Sequence, residues 1–153
     1  MYGKNVFTAE AQSAQRKNKN IESDVMESEN YDEITGKIIK CAIEVHKNLG
    51  AGLLESVYAK CLEYEFKENG IRYKREVEIP VNYKGMNIEC SFRADFIGED
   101  KVIIELKSVE KLIPVFNAQL LTYLKITGKK IGIIINFNEE LLKNGIKRMI
   151  NSY

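Results

Sequence analysis

From Ile131 to Phe137 the chain reads Ile-Gly-Ile-Ile-Ile-Asn-Phe, nearly continuous apolar sequence. Such a run fits a strand covered on both faces, the usual state of a strand inside a parallel or mixed sheet. Before it, residues from about Pro114 to Thr127 read as a helix with proline in its first turn. Three extended segments precede that helix. Residues 72–83 alternate imperfectly through Tyr73, Arg75, Val77, Ile79 and Val81, and Pro80 suggests an edge position or a bulge. Lys84-Gly85 makes a turn, residues 87–97 form the second strand, and residues 101–107 form the third across Gly98-Glu99-Asp100. Three strands, a crossover helix and a buried fourth strand describe an α/β fold, a mixed four-stranded sheet with helices on both faces.

Two helices lead into this sheet. Ile34, Ile38, Cys41, Val45 and Leu49 recur at helical spacing, so residues 32–48 read as an amphipathic helix. A second helix runs from about Leu54 to Asn69, with Leu54, Val57, Tyr58, Cys61 and Leu62 on its apolar face and Gly70 beyond its end. A last helix is expected from about Glu139 to Ile150. Residues 1–31 differ in kind. Between Glu10 and Asn30 they are mostly Gln, Ser, Asn, Lys and Glu without a sustained apolar period. They read as a poorly ordered polar tail, in which a helix would be marginal alone. The domain proper is 32–153.

Composition bounds the function only loosely. The 153 residues are 44% hydrophobic and 29% charged, as in an ordinary globular protein. No apolar run approaches the ~20 residues that span a membrane, and the N-terminus lacks the apolar stretch of a signal peptide; a cytoplasmic protein without a membrane partner is expected. Cys41, Cys61 and Cys90 are too scattered for a zinc site and odd in number, so buried free thiols are expected. The net charge of +1 does not suit a protein that coats nucleic acid, yet a local patch suffices to guide a phosphate backbone.

The chemistry concentrates on the third strand, Val102-Ile-Ile-Glu-Leu-Lys107. Side chains two apart share a face, so Glu105 and Lys107 point together. An edge strand with a solvated charged face would explain that pair by itself. The preceding strand shifts the balance, because Asp95 lies near the end of its apolar stretch Ser91-Phe-Arg-Ala-Asp-Phe-Ile97. Asp95 and Glu105 share a face only when paired residues sum to an even number. A three-residue loop over 98–100 or over 99–101 meets that condition and sets Asp95 opposite Ile103 or opposite Glu105. Two carboxylates and a main-chain carbonyl, that of Leu106, then make a hard oxygen site for Mg²⁺ or Mn²⁺. Lys107 is placed to stabilise developing negative charge, and Arg93 to pair with a carboxylate or contact a phosphate.

Asp95 followed by Glu105-Leu-Lys107 resembles the D…(D/E)-x-K signature of the PD-(D/E)XK nuclease superfamily. Ala94 stands where that signature usually has proline, a variation the superfamily tolerates. Gly52-Leu-Leu-Glu55-Ser-Val-Tyr58 resembles the motif of the GxxExxY family of small prokaryotic proteins, and the likeness extends from about Ile34 to Ile150. It includes Glu44-Val-His46, Ala118 to Leu124 and Ile135-Asn-Phe137. Gln119-Leu-Leu-Thr-Tyr123 is similar to the QxxxY motif of RecB-type nucleases, with both polar residues on one helix face.

These resemblances imply a restriction-endonuclease-like αβββαβ core with an extra N-terminal helix. They imply a Mg²⁺- or Mn²⁺-dependent phosphodiesterase acting on nucleic acid, DNA foremost. The metal would be held by Asp95, Glu105, the Leu106 carbonyl and Glu55, with Gln119 and Tyr123 at the site's edge. Glu55 also suits its helix's positive end, Tyr58 suits packing, and His46 suits either a helix C-terminus or an upstream metal ligand. The rival expectation is a catalytically inactive nuclease-fold module that binds nucleic acid or protein in a repair or defence assembly. Without a separate DNA-binding domain, a homo-oligomer or a larger assembly stays open.

Overall fold

The computed structural model describes residues 8–152, except the side chains of residues 90 and 91. Residues 1–7 of the polar tail and the Cys90 thiol therefore lie outside the described residues. The chain divides into two units, Met1–Glu33 and Ile34–Tyr153. The first helix, α1, is longer than its apolar period suggests and spans Ala9–Leu49. Its early residues are rich in Ala, Gln, Lys and Glu, good helix formers with no glycine or proline before Gly36. In the first unit nearly every helical residue is exposed.

The second unit carries the sheet. Helix α2 spans Glu55–Glu68, β1 Tyr73–Tyr83, β2 Met86–Gly98, β3 Val102–Lys107, α3 Pro114–Thr127, β4 Ile131–Asn136 and β5 Ile146–Ile150. The sheet has five strands in the order β1-β2-β3-β4-β5. Only the β3–β4 pair is parallel, joined through α3; the others are antiparallel. Every residue of β4 is buried.

The four-stranded expectation fails at the C-terminus, where β5 replaces the anticipated helix over 139–150. Leu142, Ile146, Met149 and Ile150 mimic a helical period. Asn144-Gly145 breaks it: a 3₁₀ turn over Leu142–Gly145 ends there and β5 begins. A Cβ on Gly145 would stand 2.3 Å from the Asn136 carbonyl oxygen. Only glycine permits that close pass of the returning chain.

Each face of the sheet has its own cover. Phe96 packs edge-on against Phe66 of α2, and the space above Gly98 on the same side holds Ile38 of α1 beside Ile104. On the other side Ile97, Ile103 and Ile134 cluster with Leu120, Tyr123 and Leu124 of α3. Cys41 is buried and Cys61 half-buried, both as free thiols. Burial, aided by the Glu65 charge, pushes the Cys41 thiol up to about 11, so it stays protonated and inert.

The long β1–β2 hairpin departs from strict alternation at one rung. Tyr73 and Arg75 lie against Phe96 on the α2 side, yet Val77 and Ile79, of the same parity, join the α3 cluster. On the partner strand Phe96 faces α2 while Ala94 joins the α3 cluster. Both strands exchange faces between these residues, at Glu76 and Asp95. Glu76 takes a left-handed backbone with φ 51°, uncommon for a residue with a side chain. Pairing resumes at Val77↔Ala94 in the register it had at Arg75↔Phe96. A second irregularity lies between Ile79 and Val81, at Pro80 on the edge strand, where a missing N–H costs nothing.

Candidate active site

The register Phe96↔Ile104, Ile97↔Ile103, Gly98↔Val102 continues to Asp95 opposite Glu105, the second of the two expected alignments. The regular ladder stops one rung short of that pair. In its place the Leu106 N–H donates to Asp95 Oδ2 at 2.7 Å, and the Asp95 N–H donates to Glu105 Oε1 at 3.4 Å. Asp95 thus takes up the Leu106 N–H and Glu105 takes up the Asp95 N–H, which ties the two acids together where the strands part. Glu105 is only 6% exposed. Burial, and then the charge of Asp95, push its carboxyl up to about 8, against the opposing pull of Lys107. Burial likewise raises Asp95, although the Leu106 N–H and Lys107 favour its ionised form.

Lys107 ends β3 half-buried, its Nζ 4.5 Å from the centre of the Phe116 ring on α3. Glu55 opens α2 and lines a cleft of about 210 Å³ with Ser56, Ala59, Arg75, Glu76, Asp95 and Leu106. It is exposed, and its charge acts on both Asp95 and Glu105. Gln119 and Tyr123 share a second hollow on the α3 side. Burial first, then the charges of Glu105 and Asp95, raise the Tyr123 hydroxyl to about 12; it is a neutral donor near the carboxylates.

Other candidates are drawn elsewhere. Arg93 lies across from Glu78 at 4.0 Å on the exposed hairpin. His46 Nε2 stands 2.7 Å from the Glu139 carbonyl oxygen, which makes it a tether for the loop after β4. Arg75 of the cleft pairs with Glu63 at 2.8 Å.

The glycine–glutamate–tyrosine motif has a mechanical reading. Gly52 turns the chain with φ 94°. Tyr58, fully buried and stacked on Phe137 with ring centres 4.3 Å apart, donates to the Gly50 carbonyl at 2.6 Å and accepts from the Leu53 N–H at 3.1 Å. Ser108, the residue after Lys107, donates to the Leu53 carbonyl at 2.6 Å. The loop that presents Glu55 is therefore fastened both to its own helix and to the end of β3. Asn136, fully buried, clasps the segment after Lys107 by accepting from the Val109 N–H and donating to its carbonyl. Tyr58→Phe keeps the ring stack and loses both hydroxyl bonds. It is expected to cost about 1–2 kcal/mol, read as a fall of several degrees in Tm; an unchanged Tm would show that the hydroxyl does not hold the loop.

The sequence reading missed Glu76, Ser108 and Asn136. Glu76 faces the cleft because it stands across from Asp95 at the rung where the strands change faces, and no spacing rule shows that.

Among the described residues, no three His, Cys, Asp or Glu side chains close into a ready metal cage. The groups that could hold an ion there are the two tied carboxyls and the Leu106 main-chain carbonyl. This set suits a hard divalent cation, since buried Glu105 and half-buried Asp95 beside Lys107 are short of positive charge.

A five-stranded mixed sheet between helices, with two acids and a lysine where β2 and β3 part, defines a nuclease-like α/β domain. The chain belongs to the PD-(D/E)XK nuclease superfamily, whose sequence model matches residues 32–149. Members of that superfamily generally use divalent metals and act on nucleic acid. No curated protein and no solved structure gives a match. Among the described residues no helix is long and apolar enough to cross a membrane.

Proposed function

We propose that this protein is a Mg²⁺- or Mn²⁺-dependent phosphodiesterase that cuts nucleic acid, with DNA as its substrate. The observation that carries the reading is the pair of acids tied across β2 and β3, half-buried Asp95 and buried Glu105, with Lys107 two residues on along β3. Asp95, Glu105 and the Leu106 carbonyl would hold the ion, with Glu55 reaching it from the cleft wall. The ion would supply Lewis-acid activation of water and neutralise charge on the phosphate.

The chain's own groups have separate work. Lys107, kept close by Phe116, steadies the negative charge that grows on the phosphate oxygens and orients the attacking water. Glu105 and Asp95 stay ionised once positive charge enters the site, because the repulsion between them is relieved. Gln119 and Tyr123 would serve the edge of the site, where an amide and a neutral phenol can donate to phosphate oxygens. The likeness to the GxxExxY and QxxxY motifs supports this assignment of Glu55, Gln119 and Tyr123.

Titration of wild type and Asp95→Ala with Mg²⁺ and Mn²⁺ by calorimetry, beside cleavage of labelled DNA and RNA, tests the reading. Wild type should bind the ion and cut; Asp95→Ala should do neither. Binding of nucleic acid by both proteins, with no ion bound and no cutting, would favour a non-catalytic binding module.

A further inference from the structure

On the α3 side of the sheet, a hollow of about 290 Å³ lies between the distal half of the β1–β2 hairpin and α3. Val81, Phe92, Tyr123 and Ile126 form its walls together with Gln119 and Thr122, and nearly all the surface they turn to it is apolar. Phe92 is 43% exposed and Ile126 41%, an unusual placing for large apolar side chains this close together. The Phe92 and Tyr123 rings stand 6.1 Å apart, tilted by 52°. They shape a corner with one open aromatic face, not a closed sandwich.

The hollow borders the proposed catalytic centre through Tyr123, whose hydroxyl lies within reach of the charges of Glu105 and Asp95. Tyr123 packs with Ala94, Ile97 and Ile103, the neighbours of Asp95 and Glu105 along their strands. Phe92 lies three strand residues, about 10 Å, from Asp95. The exchange of faces at Glu76 and Asp95 is what turns the distal hairpin so that Phe92 meets Tyr123.

We propose that this hollow is a stacking subsite for one unpaired nucleobase of the strand whose phosphodiester lies at Asp95 and Glu105. The proposal rests on the phosphodiesterase reading above and adds the substrate's form: single-stranded or locally unpaired nucleic acid. The size lies at the low end of the ~300–1,000 Å³ of small-molecule pockets, which suits one flat ring system. An exposed aromatic face is the surface on which bases stack without regard to sequence. Thr122 donates its hydroxyl to the Ala118 carbonyl of its own helix at 2.9 Å, which leaves the hollow its apolar character. A base inside a duplex has both faces covered, so only an unstacked base can enter.

The test compares binding of three fluorescent ligands by anisotropy, with Ca²⁺ in place of Mg²⁺: a short single strand, an abasic strand of equal length, and a blunt duplex. Wild type should bind the base-bearing strand on the order of 10-fold more tightly than the abasic one. Phe92→Ala should erase that ratio, and Phe92→Trp should retain it. Thermal melts confirm that each variant folds. Three results overturn the subsite. If wild type cuts DNA or RNA but shows no preference for bases over abasic sites, the subsite falls and the phosphodiesterase stands. If wild type binds no nucleic acid in any form, both fall. If Phe92→Ala turns a dimer into a monomer in gel filtration, the hollow belongs to a second copy of this chain.

Discussion

Lys107→Ala is expected to slow nucleic-acid cleavage by at least about 10²–10³-fold, the usual cost of removing one preorganised stabiliser of transition-state charge, while metal affinity holds or rises. The ammonium lies at the end of β3 above Phe116, and its charge favours ionisation of both Asp95 and Glu105. A protonated amine offers no lone pair to a cation, so its loss removes no ligand. It also removes a positive charge that competes with the ion for the same carboxylates. Single-turnover cleavage and a Mn²⁺ titration on the same preparation separate the two effects. A variant that cuts at the wild-type rate would show that Lys107 serves only to balance charge in a structural ion cluster. A variant that loses the metal as well would place the lysine's role in holding the carboxylates, not in the chemistry.

The second large effect concerns pH and metal removal. In the folded protein the Glu105 carboxyl is raised from 4.5 to about 8 by burial and by Asp95. A carboxyl whose native pKa lies above its unfolded value binds its proton more tightly when folded. Stability is therefore fullest below about pH 4.5 as far as this group is concerned, and it falls as pH rises towards about 8. The slope reaches at most about 1.4 kcal/mol per pH unit within that window. The raised Asp95 carboxyl adds a contribution of the same sign. This is opposite to the behaviour of a salt-bridged surface acid, which loses stability on acidification.

A divalent cation should offset part of the loss, because it binds the ionised form of the native state only. At a free concentration 100 times its Kd the gain is about 2.7 kcal/mol. Urea denaturation from pH 4.5 to 9, in EDTA and in Mg²⁺, reads both arms. Glu105→Gln should flatten the curve towards the residual slope of Asp95 and remove the response to Mg²⁺. It should match or exceed wild type in EDTA at pH 8. Identical profiles for wild type and Glu105→Gln would mean that the carboxyl is not held in the strained state that the geometry describes.

Much of this architecture is legible in the sequence because local rules and long-range packing agree there. The β3 parity puts Glu105 and Lys107 together, and the short loop over 99–101 leaves few alignments for Asp95. The apolar run at Ile131 fixes β4 as the sheet's interior. The rest depends on contacts that sequence spacing does not carry. Leu142, Ile146 and Met149 imitate a helix, and the decisive fact is that Gly145 must pass the Asn136 carbonyl. Tyr58, Ser108 and Asn136 reach backbone groups 5 to 55 residues away, so their part in fastening the Glu55 and Lys107 segments is visible only in three dimensions. Glu76 is hidden for a different reason. Its position depends on a left-handed backbone at a residue type that rarely adopts one, and on the size of the irregularity at Pro80.

The paired change of faces at Glu76 and Asp95 sets how this hairpin can vary in length. One extra residue in a single strand would shift a reading frame of in-and-out side chains and turn every residue beyond it to the wrong cover. At Glu76 and Asp95 the two strands shift together, so the frame changes while the pairing does not. Residues from Val77 to Ala94 therefore form a ribbon whose tip, around Lys84-Gly85, can gain or lose matched pairs without displacing the carboxylates. Between that rung and Gly98 no such freedom exists, since a single deletion would swing Asp95 away from Glu105. Asp95 and the Phe92 hollow are thereby placed on stretches of one hairpin that can drift independently.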